Sequence, residues 1–163
     1  MTIFEGSAVA LVLPMFDNGD IDFEGFKRQV QRMIDGGVQA LLVNGTTGET
    51  ATITIEDEFK LLDMTMELAK GTGVKVICGA GSNDTQTALK KARYAKEKGA
   101  HIVSLTDSPF APVASFTDNL LLVKSNMVSF VDSLVPALSI ANALIVSVGM
   151  KEKEDIKQHF DDL

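Results

Sequence analysis

Two short loops rich in glycine and hydroxyl side chains carry the residues best suited to chemistry in this sequence. The first, residues 44–49, reads Asn-Gly-Thr-Thr-Gly-Glu and offers Thr46 and Thr47 as adjacent hydroxyls. The second includes Gly81, Ser82 and Thr85 at a predicted helix start. Hydroxyls beside free backbone amides suit a carboxylate or a phosphate. Gly and Thr are also ordinary turn residues that need no ligand, so both interpretations stay open at this point.

Alternating strands and helices place both loops at one edge of a predicted sheet. Cap residues and apolar spacing predict helices from Phe23 until Gly36, from Thr54 to Lys70 and from Thr85 to Lys98. Short apolar runs predict parallel strands between them, at residues 8–13, 40–43, 74–78, 102–106 and 120–123. We expect the strands to be buried on both faces, as in α/β folds. Such folds bind ligands at the C-terminal ends of their strands, where both loops fall.

The amino-acid composition argues against some classes of binding partner. The 163 residues carry a formal charge of −7, which argues against nucleic acid and anionic membrane. The single Cys78 predicts a reducing compartment, and the N-terminus lacks the pattern of a signal peptide. His101 and His159 have no metal-ligand spacing. The sequence therefore predicts a cytoplasmic protein without a metal or other cofactor, and a basic helix face, residues 90–98, that is solvated.

The first part of the chain resembles the dihydrodipicolinate synthase and N-acetylneuraminate lyase family. The resemblance covers about residues 3–99 and is carried by the motif at residues 44–49 and by Gly-Ala-Gly-Ser-Asn-Asp-Thr at residues 79–85. Members of that family are (β/α)₈ barrels that bind pyruvate as a Schiff base. The resemblance implies that Thr46 matches the proton-relay threonine. It also implies that Thr47 matches the residue whose amide and hydroxyl hold the pyruvate carboxylate.

The same resemblance requires parts that we do not find in the sequence. The family uses a lysine on the sixth strand to form the imine and a tyrosine on the fifth strand as its acid/base partner. Here the only tyrosine, Tyr94, lies in a predicted helix, and the family's Thr-Pro after the first strand is Leu13-Pro14. We therefore expect no catalytic residue and no enzymatic activity, with Thr46 and Thr47 left as a remnant carboxylate site.

The second part of the chain is similar to the end of a SIS (sugar isomerase) domain of RpiR-type regulators. This similarity covers about residues 92–150 and is carried by Thr-Asp-Ser-Pro at residues 106–109 and Phe-Val-Asp-Ser-Leu-Val at residues 130–135. SIS domains are α/β/α sandwiches that bind phosphosugars through Ser/Thr-rich turns. The similarity implies that Gly81, Ser82 and Thr85 occupy the place of such a phosphate loop.

The two resemblances together predict a hybrid. We expect a single domain, residues 1–163, made of a barrel-derived segment, 3–99, and a SIS-like segment, 100–163, as in a designed or recombined fold chimera without native catalytic activity. Two alternatives stay open. One is small-anion or phosphosugar binding at the strand ends, and the other is a pyruvate-dependent lyase of the dihydrodipicolinate synthase type.

The expected fold is a three-layer α/β/α sandwich with a five-stranded parallel sheet, flavodoxin-like or SIS-like rather than a complete TIM barrel. The strand order is predicted as 1-2-3-4-5, with 2-1-3-4-5 as the rival. An apolar helix at about residues 128–149 is expected to be buried across the sheet face that a barrel would turn inward. Residues 151–163 are amphipathic and could pack on the domain or on a second copy, so a monomer and a homodimer are both open.

Overall fold

The computed structural model describes residues 6–123 and 135–151. Two 3₁₀ turns, Thr46–Gly48 and Pro112–Phe116, lie in connections. The chain divides into two compact units, one ending at Ala100 and the other beginning at His101. The helices and strands are β1 Ala8–Ala10, α1 Phe23–Asp35, β2 Ala40–Val43, α2 Ile55–Ala69, β3 Lys75–Cys78, α3 Thr85–Glu97, β4 Val103–Thr106, β5 Asn119–Leu122 and α4 Val135–Lys151.

The first three helices begin and end at residues whose chemistry fits helix termini. The side chains of Asp22, Thr54 and Asp84 each accept a hydrogen bond from a backbone amide in the first turn of α1, α2 and α3. After α1 and α3 the chain passes through Gly37 and Gly99, whose φ angles are 81° and 85°. That left-handed conformation favours glycine, so the predicted helix ends are confirmed to within a residue or two.

The first unit contains a three-stranded parallel sheet in the order β1-β2-β3. The register aligns Ala10 with Leu42, and Leu42 with Ile77. The central position of β2 agrees with the predicted order 1-2-3-4-5 and rules out 2-1-3-4-5 for these strands. Because the three strands are parallel, the loops that follow β2 and β3 leave the sheet at the same edge.

One face of this sheet packs against helices α1 and α2. Leu11 and Leu13, which continue the β1 segment, share this face with two residues of β2. Alternate strand residues point to opposite faces, so the same four side chains meet the helices. The buried cluster consists of Leu11, Leu13, Leu41 and Val43 from the strand segments, Phe26 and Val30 from α1, and Leu61 and Leu62 from α2.

The opposite face of the sheet is less covered than the sequence predicts. Val12 lies between two buried leucines and is 50% exposed, and Ile77 on β3 is also exposed. The prediction of strands buried on both faces is therefore wrong at these two positions. The three-layer arrangement, which needs helices against both faces, is not confirmed. Apolar runs predict a strand well, but they do not reveal which of its faces a helix covers.

The second unit contains a two-stranded parallel sheet. Strand β4 pairs with β5 from Val103 opposite Asn119 to Thr106 opposite Leu122. The turn before β5 is fixed by Asp118, whose Oδ2 accepts a hydrogen bond from the amide of Ile102 at 2.7 Å. Both strands lie within a residue of their predicted bounds. The single five-stranded sheet is not confirmed, because the hydrogen bonds among the described strands define a three-stranded and a two-stranded sheet.

Helix α4 is the element that departs furthest from expectation. Its described residues begin at Val135, so the predicted start near residue 128 lies outside the described residues, as does the predicted segment 151–163 beyond Lys151. Leu138, Ile145 and Val146 are all exposed, so the prediction of a buried helix is wrong for them. The apolar composition of a helix favours burial, but it does not show that another surface is present to cover the helix. None of the helices in the described ranges is long and apolar enough to cross a lipid bilayer.

Candidate functional site

The loop after β2 presents its two threonines to solvent. Asn44 and Glu49 have positive φ angles of 55° and 53°, and the 3₁₀ turn Thr46–Gly48 lies between them. Two backbone bonds close the turn, from the Gly48 amide to the Gly45 carbonyl at 3.0 Å and from the Glu49 amide to the Thr46 carbonyl at 3.1 Å. Both threonines are exposed, and their hydroxyls make no hydrogen bond to any residue that the structure describes. They are therefore available to a ligand.

The base of this loop is held from behind by side chains and backbone. The Asn44 amide group donates to the backbone carbonyl of Glu58 at 2.9 Å and approaches the Cys78 sulfur at 3.6 Å. Gly79, just after β3, lies so close to the loop that an added Cβ would overlap the Asn44 carbonyl oxygen. These contacts fix the position at which the chain enters the threonine turn.

A buried ion pair lies beside this anchor. Lys91 Nζ is 2.6 Å from Glu58 Oε1, and the two side chains are only 12% and 4% exposed. Asn44 Oδ1 and Glu58 Oε2 are buried without a hydrogen-bond partner among the described residues. The prediction that the basic helix face is solvated is thus wrong at Lys91, because that lysine turns towards α2.

Burial raises the pKa of the Cys78 thiol. The thiol therefore stays protonated and is a poor nucleophile.

Sequence reasoning missed this anchor, although a signal was present. Glu58 follows Ile55 by three residues and precedes Leu62 by four, so it falls on the apolar side of α2. A carboxylate at a buried position needs a cation, and the basic helix that follows supplies one. That spacing indicated a buried carboxylate in need of a cation, but it did not identify Lys91 as the partner.

The loop after β3 has a different construction. Gly81, Ser82 and Thr85 are exposed, as a binding loop requires. However, Asp84 occupies the helix start: its carboxylate accepts from the Gln86 amide at 3.3 Å and from the Thr87 amide at 2.8 Å. The hydrogen bonds from the Thr87 hydroxyl and amide lower the pKa of Asp84, so the group is negatively charged. A bound anion would meet that charge and would find these two amides already taken.

Tyr94 is the only tyrosine, and it is engaged in a network between α2 and α3. Its hydroxyl donates to Asp63 Oδ2 at 2.7 Å, Lys98 Nζ is 2.7 Å from Asp63 Oδ1, and the Tyr94 ring stacks on Phe59. Burial and the bond to Asp63 raise the pKa of Tyr94. This environment keeps the phenol protonated. Tyr94 therefore makes a structural contact between α2 and α3 and does not take part in either glycine-rich loop.

The described part of the chain offers no cluster of three or more His, Cys, Asp or Glu side chains with the arrangement of a metal site. His101, one of the two histidines, has its Nδ1 3.8 Å from Asp118 Oδ2 and is largely exposed. The exposed hydroxyls of Thr46 and Thr47 are hydrogen-bond donors that a small acceptor-rich ligand could use at the C-terminal edge of the sheet.

A fold with parallel strands, helices on one face and an exposed hydroxyl loop at the strand ends belongs to the α/β class from which barrel enzymes are built. A sequence model of the Dihydrodipicolinate synthetase family matches residues 3–118. The chain belongs to this family. The match runs past the limit of residue 99 that we expected, so the family pattern continues through β4 and to the turn before β5.

Individual relatives agree with this assignment. The 4-hydroxy-tetrahydrodipicolinate synthase of Campylobacter jejuni subsp. doylei is 44% identical over 98 residues, which are 60% of this chain and 33% of that protein. Among solved structures, dihydrodipicolinate synthase from Aquifex aeolicus is 38% identical, with a TM-score of 0.56 over 63% of this chain and 34% of the other. The Acinetobacter baumannii enzyme complexed with pyruvate is 32% identical, with a TM-score of 0.57 over 64% and 35%.

These findings correct one prediction and limit another. The expectation that the chain is not an enzyme is wrong, since its relatives are synthases and it belongs to their family. The chain spans about one third of the length of the curated relatives it matches. The SIS-like nature of residues 92–150 stays a prediction.

Proposed function

We propose that this chain carries the pyruvate-binding part of a lyase of the dihydrodipicolinate synthase type, in which Thr46 and Thr47 hold the substrate's carboxylate. The observation that carries the proposal is the pair of exposed, unengaged hydroxyls in the anchored loop after β2. The loop lies inside the family match, and one similar enzyme has been solved in complex with pyruvate.

The chemistry of the ligand fits the loop. A carboxylate presents two oxygens that accept hydrogen bonds, and two neighbouring hydroxyls can each donate one. A hydrogen bond to a charged group contributes about 1.5–3 kcal/mol. Two such bonds are sufficient to bind a small anion weakly. Because the base of the loop is held rigidly, little conformational entropy of the loop is lost when the anion binds.

The proposal is confined to carboxylate binding and orientation. By the family resemblance, the lysine that forms the imine belongs to a sixth strand, and the structure describes five strands. An imine also needs an amine with a lowered pKa. We therefore restrict the proposal to the part of the site that positions pyruvate.

Calorimetric titration with pyruvate tests the carboxylate site. We expect heat from wild-type protein and its loss in a Thr46→Val/Thr47→Val variant, which preserves side-chain volume but removes both hydroxyl donors. A Thr85→Val variant is the matched control in the other loop and should bind as wild type does. Equal heats from all three proteins would contradict the assignment.

Borohydride reduction in the presence of pyruvate separates binding from imine chemistry. We expect no covalent adduct by mass spectrometry on the intact chain. A pyruvate adduct on a lysine would show that the amine is present after all and would extend the proposal to a complete lyase site. Pyruvate heat without an adduct supports the carboxylate site as stated.

The alternative of small-anion or phosphosugar binding at Gly81, Ser82 and Thr85 stays a prediction. The charged Asp84 carboxylate at that helix start counts against it. The hybrid origin of the chain also stays a prediction: a unit boundary at Ala100 favours it, whereas the family match through residue 118 shortens the part that a second parent could have supplied. Cytoplasmic location likewise stays a prediction.

A further inference from the structure

Asn44 joins three elements at the entrance to the threonine turn. Its side-chain nitrogen donates to the Glu58 carbonyl of α2 at 2.9 Å and lies 3.6 Å from the Cys78 sulfur at the end of β3. Its own backbone carbonyl lies against Gly79, where an added Cβ would overlap it. Asn44 is therefore held by its side chain towards α2 and by its backbone against the end of β3.

The side-chain amide of Asn44 acts as a donor only. Its nitrogen contacts an oxygen and a sulfur, whereas Oδ1 is buried without a hydrogen-bond partner among the described residues. Turning the amide over would bring Oδ1 against the Glu58 carbonyl, and neither of these two oxygens can donate a hydrogen bond. An unpaired buried acceptor is destabilising. The amide nevertheless keeps this orientation, which is the one that ties the chain to α2.

The backbone of Asn44 directs the chain into the turn. Its φ angle of 55° is left-handed, a conformation that asparagine and glycine adopt more readily than most residues. Gly45 alone separates it from the 3₁₀ turn, and the Gly45 carbonyl accepts the bond from the Gly48 amide that closes the turn. A displacement of Asn44 would therefore move the hydroxyls of Thr46 and Thr47.

We propose that Asn44 is a positioning residue of the carboxylate site: its bond to the Glu58 carbonyl holds Thr46 and Thr47 in the arrangement that binds pyruvate. This inference rests on the proposed function and adds to it a residue that acts through the turn. A ligand binds only the fraction of molecules in which its site is formed. Loss of one ordinary hydrogen bond shifts such a local equilibrium by about fivefold, which sets the upper limit of the expected effect.

Two substitutions separate the side chain of Asn44 from its backbone. Asn44→Gly removes the side-chain bond but keeps access to the left-handed conformation, whereas Asn44→Ala loses both. Gln39→Ala is the matched control, because Gln39 immediately precedes β2 as Asn44 immediately follows it. The Gln39 side-chain amide also bonds to backbone, accepting from the Ser7 amide at 2.7 Å and donating to the Gly37 carbonyl at 2.6 Å.

Pyruvate calorimetry on the full chain measures the effect on the site, with circular dichroism confirming that every variant is folded. We expect the affinity to fall by about three- to fivefold in Asn44→Gly, to fall further in Asn44→Ala, and to stay unchanged in Gln39→Ala. A merely structural role of Asn44 predicts lower midpoints of urea unfolding with no change in affinity. That result, or equal affinity losses in Asn44→Gly and Gln39→Ala, would overturn the proposal.

Amide hydrogen exchange provides a readout that needs no pyruvate. In Asn44→Gly the amides of Gly48 and Glu49, which close the turn, should exchange about fivefold faster relative to those of Leu41 and Val43 in β2. If wild type binds no pyruvate, the proposed function fails, and the exchange rates alone decide whether Asn44 holds the turn. Unchanged exchange at Gly48 and Glu49, with or without pyruvate binding, would contradict the positioning role.

Discussion

The two glycine-rich loops at the C-terminal edge of the three-stranded sheet are alike in composition and differ in what occupies them. In the loop after β2, Thr46 and Thr47 are exposed and unengaged with the described residues. In the loop after β3, Asp84 accepts from the amides that open α3. This charged carboxylate counts against anion binding at the second loop. The comparison teaches that residue types suggest a binding loop, whereas the hydrogen-bond partners of its amides and hydroxyls decide whether a ligand can use it.

The loops also differ in how firmly they are held. Asn44 ties the first loop to α2, and the buried Glu58–Lys91 pair lies directly behind that contact. The second loop is fixed by bonds within itself, from the Asp84 amide to Ser82 and from Thr87 to Asp84. Substitutions at Lys91 and Gly79 test the support of the first loop, and substitutions at Asp84 and Thr87 test that of the second.

Removing the buried cation should have the largest effect. Lys91→Met leaves the Glu58 carboxylate buried without its partner, which typically costs about 3–5 kcal/mol. Lys90→Met removes an exposed ion pair to Glu56 and should change the free energy of unfolding by no more than about 1 kcal/mol. Urea denaturation followed by circular dichroism measures both. A further Glu58→Gln substitution should recover part of the loss in Lys91→Met, and similar small effects from both lysines would contradict a buried pair.

Adding one carbon at Gly79 should disturb the first loop. In Gly79→Ala the new Cβ would overlap the Asn44 carbonyl, and relief of such overpacking costs about 1–3 kcal/mol. Gly81→Ala is the control, because nothing lies within 4 Å of its added Cβ. The two midpoints of urea unfolding compare the effects directly. Equal urea midpoints for the two variants would contradict the close approach of Gly79 to the Asn44 carbonyl.

Single hydroxyl deletions should distinguish the loops as binding elements. Thr47→Val removes one hydrogen bond to a charged ligand, which corresponds to about a tenfold or greater loss of pyruvate affinity. Thr85→Val in the second loop should change the affinity by less than about twofold. Competition calorimetry measures the ratio, and a larger loss in Thr85→Val would move the site to the loop after β3.

The smallest expected effect is a change in acid sensitivity at the second loop. Because hydrogen bonds from Thr87 lower the pKa of Asp84 below 3.8, the carboxylate stabilises the folded state above that pH. The contribution is lost as pH falls from near 3.8 through the lower folded pKa. Asp84→Asn should remove this part of the acid dependence, and Thr87→Val should remove a smaller part. Acid titrations of wild type and variants that superimpose would contradict the cap.

Much of the local structure could be predicted from the sequence because its causes are local. Asp22, Thr54 and Asp84 cap helices through amides two or three residues away. Gly37 and Gly99, with positive φ, follow the ends of α1 and α3. The motif at residues 44–49 likewise indicated the candidate site, since its exposure follows from its place in a strand-to-helix turn. The sequence therefore predicted where the strands, helices and loops lie.

What could not be predicted depends on residues far apart in the chain. Val12 and Leu138 are exposed because no other part of the protein that the structure describes covers them. The residue type alone does not reveal whether another surface will cover an apolar side chain. The pairing of Lys91 with Glu58 joins two helices, and the division of the strands into two sheets depends on long-range hydrogen bonds. The absence of enzymatic function was inferred from missing catalytic residues, and family membership overturned it.

Amide chemical-shift mapping of the ¹⁵N-labelled chain during a pyruvate titration shows directly which loop binds the carboxylate. We expect the largest, saturable shifts on residues 45–49 and little change in the shifts of residues 81–85. Saturable shifts centred on residues 81–85, or no saturable shift in either loop, would contradict the assignment of Thr46 and Thr47 as the carboxylate site.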